Sequence, residues 1–205
     1  MRIKDADAYF KALSGEVKTP LVLVLTGGIA AGIMADERTT DDIDFAILRY
    51  ARKTLPDLEV LLQRLAKKHG ILVQYSSDID RWSSVSFLDW KKHSRPYSRL
   101  GMLEVRVLDP YYWSIGKITR GIERDLQDLK AVIRKQKLDW KKLASLWAKA
   151  LRKSPPSSAL FSVRKQMENF LGDSKKGTFD GDYDPVEGVA YFRKLLASKN
   201  ISLKV

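Results

Sequence analysis

Apolar and polar positions along the chain change their period several times, and each change marks an element. Residues 5–17 place Ala8, Phe10 and Leu13 on an approximate helical face, with Asp5 as its cap. After Pro20 comes LVLVLT, a continuous Leu/Val run of strand length, the pattern of a strand buried on both faces. Gly27-Gly28 break the run. IAAGIMA then predicts a helix of small residues packed closely on a sheet, ADERTTD a loop, and DIDFAIL a second strand. Pro56 opens a helix through DLEVLLQRLAKKH that Gly70 ends, and ILVQY is a third strand. Residues 76–99 follow neither period. In GMLEVRVLD, Leu103, Val105 and Val107 alternate against Glu104 and Arg106, a strand period.

From Asp109-Pro110 the pattern turns helical. Aspartate followed by proline is an N-cap and a first helical residue, opening YYWSIGKITRG. ERDLQDLKAVIRKQ, DWKKLASLWAKALRKS and SSALFSVRKQMENFLG follow as helices, Ser154-Pro155-Pro156 breaks the chain, DSKKGTFDGDYD is a polar loop, and Asp184-Pro185 opens a last helix. The reading is α/β (α+β): a mixed α/β stretch over about the first 108 residues, then helix. As domains, this predicts an α/β core over residues 1–133 and a basic helical region over 134–205.

Composition narrows the chemistry. The 205 residues contain no cysteine and only two histidines, His69 and His93, which excludes disulfides and thiolate metal sites and disfavours a histidine-built zinc centre. No apolar run approaches the roughly 20 residues of a membrane span, and MRIKDADAYFKALSG lacks a signal-peptide core. The expectation is a soluble, cytoplasmic protein. A net charge of +12 favours polyanions: nucleic acid, nucleotides or an acidic protein.

The segment that asks for an explanation is TGGIAAGIMADERTTDDIDFAIL. Asp42 and Asp44 fall inside a strand pattern, where residues i and i+2 share a face. Two ionised carboxylates that close repel unless one is protonated or a cation lies between them. A hard divalent ion, magnesium or manganese, takes such oxygen ligands together with substrate phosphates. Gly27 and Gly28, at the end of the preceding strand, let backbone N–H groups and a helix N-terminus approach phosphate. These are the parts that nucleotidyl transfer needs. The bland alternative is a common D-h-D triplet beside a common Gly-Gly turn.

T-G-G followed by R-x-T-x-D-h-D, here Thr26-Gly27-Gly28 then Arg38, Thr40, Asp42, Ile43 and Asp44, resembles the nucleotidyltransferase superfamily with the polymerase-beta-like fold. The Arg and Thr upstream resemble its bacterial abortive-infection and toxin-type branch. So does LEVRVLDPYYWSIGKITRGIERDLQDL, with Lys117, Arg124, Asp125 and Asp128. The resemblance lies within residues 20–133. It implies a mixed sheet with flanking helices plus a helical C-terminal extension, and a nucleoside triphosphate bound through Gly27, Gly28, Arg38, Thr40, Lys117, Arg124 and Asp125. It implies catalysis by Asp42, Asp44, a third carboxylate and Lys117, with the carboxylates holding the metal. Asp80, Asp78 and Glu104 are the candidates for that third carboxylate, and the superfamily order favours Asp80. Where many relatives carry Gly-Ser, this chain has Gly28, so only backbone donors remain there.

Between Arg134 and Lys165 stand ten basic residues and one acid, Asp139. Trp140 and Trp147 fall on one helical face, the pattern of a core. The lysines around them suit a phosphate backbone, which makes tRNA or another RNA one expected acceptor and an acidic partner protein, as in a toxin-antitoxin pair, another. Lys175 and Lys176 extend the basic set. The rival to an enzyme is a non-catalytic nucleic-acid- or protein-binding module on the same fold.

Overall fold

A computed structural model of the chain describes residues 3–36, 40–50, 55–174, 177–179 and 182–198. By packing, these divide into two compact units, one formed by residues 1–79 with 89–109, the other by 80–88 with 110–205. The change from alternating to helical pattern near residue 108 coincides with that division.

The first unit is a five-stranded mixed sheet in the order β3-β2-β1-β5-β4. The strands are β1 (Leu21–Leu25), β2 (Asp42–Arg49), β3 (Leu72–Ser76), β4 (Ser94–Leu100) and β5 (Leu103–Leu108). β1 is antiparallel to β2 and parallel to β5, β2 is parallel to β3, and β4 is antiparallel to β5. The register aligns Phe45, Leu25 and Val107 across one face, and Ile47, Leu23 and Val105 beside them, all buried. The helices of this unit are α1 (Ile3–Glu16), α2 (Gly27–Ala35) and α3 (Leu55–His69). α1 contributes Ala6, Tyr9, Phe10 and Leu13 to the core, and the Tyr9 hydroxyl donates to the Leu62 carbonyl of α3 at 3.3 Å. The segment without a period resolves into two 3-10 turns (Ile79–Trp82 and Trp90–Lys92) and β4, whose alternation is hidden by Arg95, Pro96 and Arg99 on exposed positions.

The second unit is helical: α4 (Pro110–Arg120), α5 (Glu123–Gln136), α6 (Trp140–Lys153), α7 (Ser158–Asp173) and α8 (Pro185–Ala197). Asp139 caps α6 by accepting the Lys142 amide, and Asp184 caps α8 by accepting the amides of Val186 and Glu187. Trp140 and Trp147 are buried, as their spacing predicts. The Trp147 indole donates to Ser114 Oγ at 2.9 Å. Ser86 donates its amide to Ser154 Oγ at 2.8 Å, which fastens residues 80–88 to the end of α6. Glu168 of α7 accepts from Arg193 of α8 at 2.7 Å and from Arg164 at 2.9 Å.

Those bonds, Arg193 first, hold the Glu168 carboxyl below its ordinary range. A carboxylate with a lowered folded pKa stabilises the protein fully above its unfolded pKa, and that stabilisation is lost as pH falls through the folded value. Glu168→Gln should therefore lose about 1 kcal/mol at neutral pH and much less at about pH 3. Thermal denaturation of both proteins at the two pH values checks this; an equal gap at both would contradict it.

Candidate active site

β1 ends at Leu25, Thr26 follows in extended conformation, and α2 begins at Gly27. Thr26 donates its amide to the Asp44 carbonyl at 2.9 Å, so the pairing of β1 with β2 continues to the first residue before the helix. Gly27 has φ +61°, in the left-handed region. A Cβ at Gly27 would lie 1.8 Å from Asp44 Oδ2 and 2.8 Å from Asp44 Cβ. The backbone at the start of α2 thus lies directly against the Asp44 carboxylate, and only glycine leaves that space. Negative charge is favoured there by the amide dipoles of the helix start.

Asp42 stands two residues earlier on the same face of β2, roughly 6.6 Å along the strand. Both carboxylates are half-buried. Asp42 is clamped from two sides: the buried Thr40 hydroxyl donates to Oδ1 at 3.2 Å and Gln74 Nε2 donates to Oδ2 at 3.0 Å. Gln74 lies on β3 directly opposite Asp44 in the parallel register. Sequence reasoning passed over Gln74. Its signal was present: it is the polar residue within ILVQY, and pairing the third strand parallel to the second aims it at the carboxylates.

The structure brings Gly27, Thr40, Asp42, Asp44 and Gln74 together. Gly28 is buried in the first turn of α2. Arg38 lies outside the described residues. Of the third-carboxylate candidates in this unit, Glu104 sits opposite Val22 of β1, four residues before Thr26 and so roughly 13 Å along the sheet from Asp44. It pairs with Arg106 at 2.6 Å. Asp78 lies past the end of β3, bonded through its backbone to Ser76 Oγ, and accepts from the Trp90 indole at 3.4 Å. Asp80 belongs to the second unit, where its carboxylate accepts the Phe87 amide and closes its own loop. Among the described residues, no group of three or more acidic or histidine side chains gathers in a way that could hold a metal.

A family model described as nucleotidyltransferase of unknown function (DUF6036) matches residues 1–170. The chain belongs to this family. No match is found among the curated proteins or among the solved structures. The matched region contains the whole sheet of this nucleotidyltransferase-family chain, with Gly27, Asp42 and Asp44, and runs on through α6 into α7. No helix among the described residues is long and apolar enough to cross a membrane.

Lys117 was expected at a nucleotide phosphate. In the second unit it is buried, with Nζ 2.7 Å from Asp125 Oδ1 and 2.7 Å from Asp128 Oδ2, and its amine lies 5.5 Å from the Trp113 ring centre. Arg120 donates from Nη2 to Asp125 Oδ1 at 2.9 Å, and its Nε lies 2.8 Å from Oδ2 as an ion pair without hydrogen-bond geometry. Two cations and two carboxylates make a neutral cluster that locks α4 to α5. Arg124 is exposed at the start of α5. Lys141 and Lys142 of α6 are exposed, Lys141 over Trp140 and paired with Glu187 at 3.6 Å, Lys142 over Tyr111.

Gly27→Ala should lose about 1–2 kcal/mol from left-handed strain alone, and more from displacing Asp44. A double-mutant cycle with Asp44→Gly, measured by urea denaturation, should return a coupling of about 1 kcal/mol or more. Additive losses would contradict the contact. Lys117→Met should lose about 3–5 kcal/mol, because it leaves two buried carboxylates without their cation. Adding Asp125→Asn and Asp128→Asn should restore most of that loss in the same measurement.

Proposed function

We propose that the chain is a metal-dependent nucleotidyltransferase that moves a nucleotidyl group from a nucleoside triphosphate to an acceptor hydroxyl or phosphate. The observation that supports this most is the placement of Asp44 against the Gly27 backbone, with Asp42 beside it. The residues fit a magnesium or manganese ion: hard oxygen donors on one face, one held in orientation by Thr40 and Gln74, the other seated where a Cβ would have excluded it. Asp42 and Asp44 would hold that ion. When bound, it would neutralise phosphate charge and make the acceptor oxygen a better nucleophile.

The chain's own residues supply the rest of the proposal. Thr40 and Gln74 keep the Asp42 carboxylate from rotating, on the strand face it shares with Asp44. The start of α2 offers a positive dipole end to the triphosphate. Transfer forms a bond from the acceptor oxygen to the α-phosphorus, breaks the bond to the bridging oxygen and releases pyrophosphate, while the acceptor proton passes to solvent. Lys117 takes a positioning part, since its amine is held by Asp125 and Asp128, and Asp80 is assigned to its loop. RNA such as tRNA is the proposed acceptor, because α6 presents Lys141, Lys142, Arg152 and Lys153 at exposed positions. A toxin-type role with an acidic partner protein draws on the Arg38-x-Thr40 and Lys117/Asp125 pattern together with the same basic surface. Gln74 is the observation that favours the alternative reading, a non-catalytic binding module, because a neutral amide stands where an acid would strengthen metal binding.

The test is incubation of the protein with each labelled nucleoside triphosphate, magnesium and total cellular RNA. Asp44→Asn should stay folded and lose transfer by roughly a hundredfold or more, several kcal/mol of transition-state stabilisation. Unchanged transfer by a folded Asp44→Asn protein would sink the catalytic assignment. Triphosphate binding without transfer to any acceptor would favour the binding module.

A further inference from the structure

The carboxylate-bearing face of the sheet carries a second feature that nucleotide binding does not use. At its other end lies an open basin of about 390 Å³ lined by Arg49, Lys91, Lys92, Ser94, Glu104 and Arg106, over Val22 and Leu48. Four of these side chains are cationic and one is anionic. Arg106 pairs in register with Val24, which pairs with Ala46, two residues from Asp44; Arg106 and Glu104 therefore share the face of Asp42 and Asp44.

The basin is built and not merely charged. Arg106 is half-buried, and its guanidinium is fixed by three bonds: Nε to Ser94 Oγ at 2.8 Å, Nη2 to the Ser94 carbonyl at 2.7 Å, and Nη1 to Glu104 at 2.6 Å. Lys91 and Lys92 project from a 3-10 turn anchored by the buried Trp90. Arg49 is the last residue of β2, the strand that also carries Asp44. Fixed guanidinium geometry beside two exposed lysines, Lys91 over the Trp90 ring, is suited to phosphate oxygens.

We infer that this basin is a seat for backbone phosphates of a single-stranded nucleic-acid acceptor whose reacting end lies at Asp42 and Asp44. The inference rests on the nucleotidyltransferase reading for its acceptor. Arg49 is five residues beyond Asp44, roughly 16 Å along the strand. At the helical spacing of about 3.4 Å per nucleotide the basin is at most about five nucleotides from the carboxylates, and fewer for an extended strand. A mononucleotide acceptor held at the carboxylates does not reach it.

The experiment measures binding, so that it can fail separately from catalysis. Labelled single-stranded oligoribonucleotides of about three and about eight nucleotides are titrated into the full chain across a salt series. The variants are Arg49→Gln with Lys92→Gln, both exposed positions, and Lys141→Gln with Lys142→Gln on α6 as comparator. For the longer oligonucleotide, the Arg49/Lys92 variant should lower the slope of log affinity against log salt by about 1.4, near 0.7 for each lost phosphate contact, and lower it less for the shorter one, which carries fewer phosphates. An unchanged slope, or a loss confined to the α6 comparator, overturns the proposal. So does displacement of the longer oligonucleotide by polyglutamate at lower concentration than by unlabelled RNA, which would assign the basin to an acidic protein. A lowered slope with no transfer upholds the basin and counts against the activity; transfer with an unchanged slope does the reverse.

Discussion

β1 is paired on both edges, antiparallel to β2 and parallel to β5, and the site depends on that double pairing. A five-residue Leu/Val strand has no polar side chain of its own, so its contribution is geometric. Its antiparallel partner brings Asp44 level with Thr26, one residue before the chain turns left-handed and enters α2. Its parallel partner sets Arg106 and Glu104 on the same face as the carboxylates. A slip of one residue between β1 and β2 would move Asp42 and Asp44 to the packed face, where ionised carboxylates without partners are expensive to bury. The burial of Ile43, Phe45 and Ile47 on that face therefore protects the register that the carboxylates require.

Much of this was legible in the chain. The Leu/Val run, the two glycines and the D-h-D strand located β1, the start of α2, and β2, because each rests on local periodicity or turn chemistry. Asp109-Pro110 and Asp184-Pro185 located two helix starts for the same reason. The family resemblance agrees with the matched family as far as nucleotidyltransferase. What stayed hidden depended on pairing between distant segments. Gln74 meets Asp42 only because β3 runs parallel to β2, and alternation within ILVQY cannot reveal its neighbour. β4 was hidden because its outward positions carry arginine and proline. Glu104 alternates correctly for a site residue, yet stands at the wrong end of its strand, which one-dimensional alternation cannot express.

The two polar clusters of the molecule obey opposite rules. Around Lys117 the charges balance: Lys117, Asp125 and Asp128 are buried and the exposed Arg120 supplies the second cation, an arrangement that fixes a helix pair. On the sheet face, two acids at one end and an excess of cations at the other leave the charge unbalanced along a single surface. Such separation is unfavourable to a folded chain on its own and is typical of surfaces whose field acts on a ligand.

The contact between Gly27 and Asp44 also restricts how the chain can change. Where glycine serves only to permit a positive φ, asparagine or aspartate is the usual substitute, since both tolerate left-handed backbone. At Gly27 that exchange is barred by space before angle is considered, because any Cβ would overlap the Asp44 carboxylate. The two positions behave as one unit of variation: a side chain entering at 27 must displace the Asp44 side chain, and does so at least cost in a chain that has already given up the carboxylate at 44.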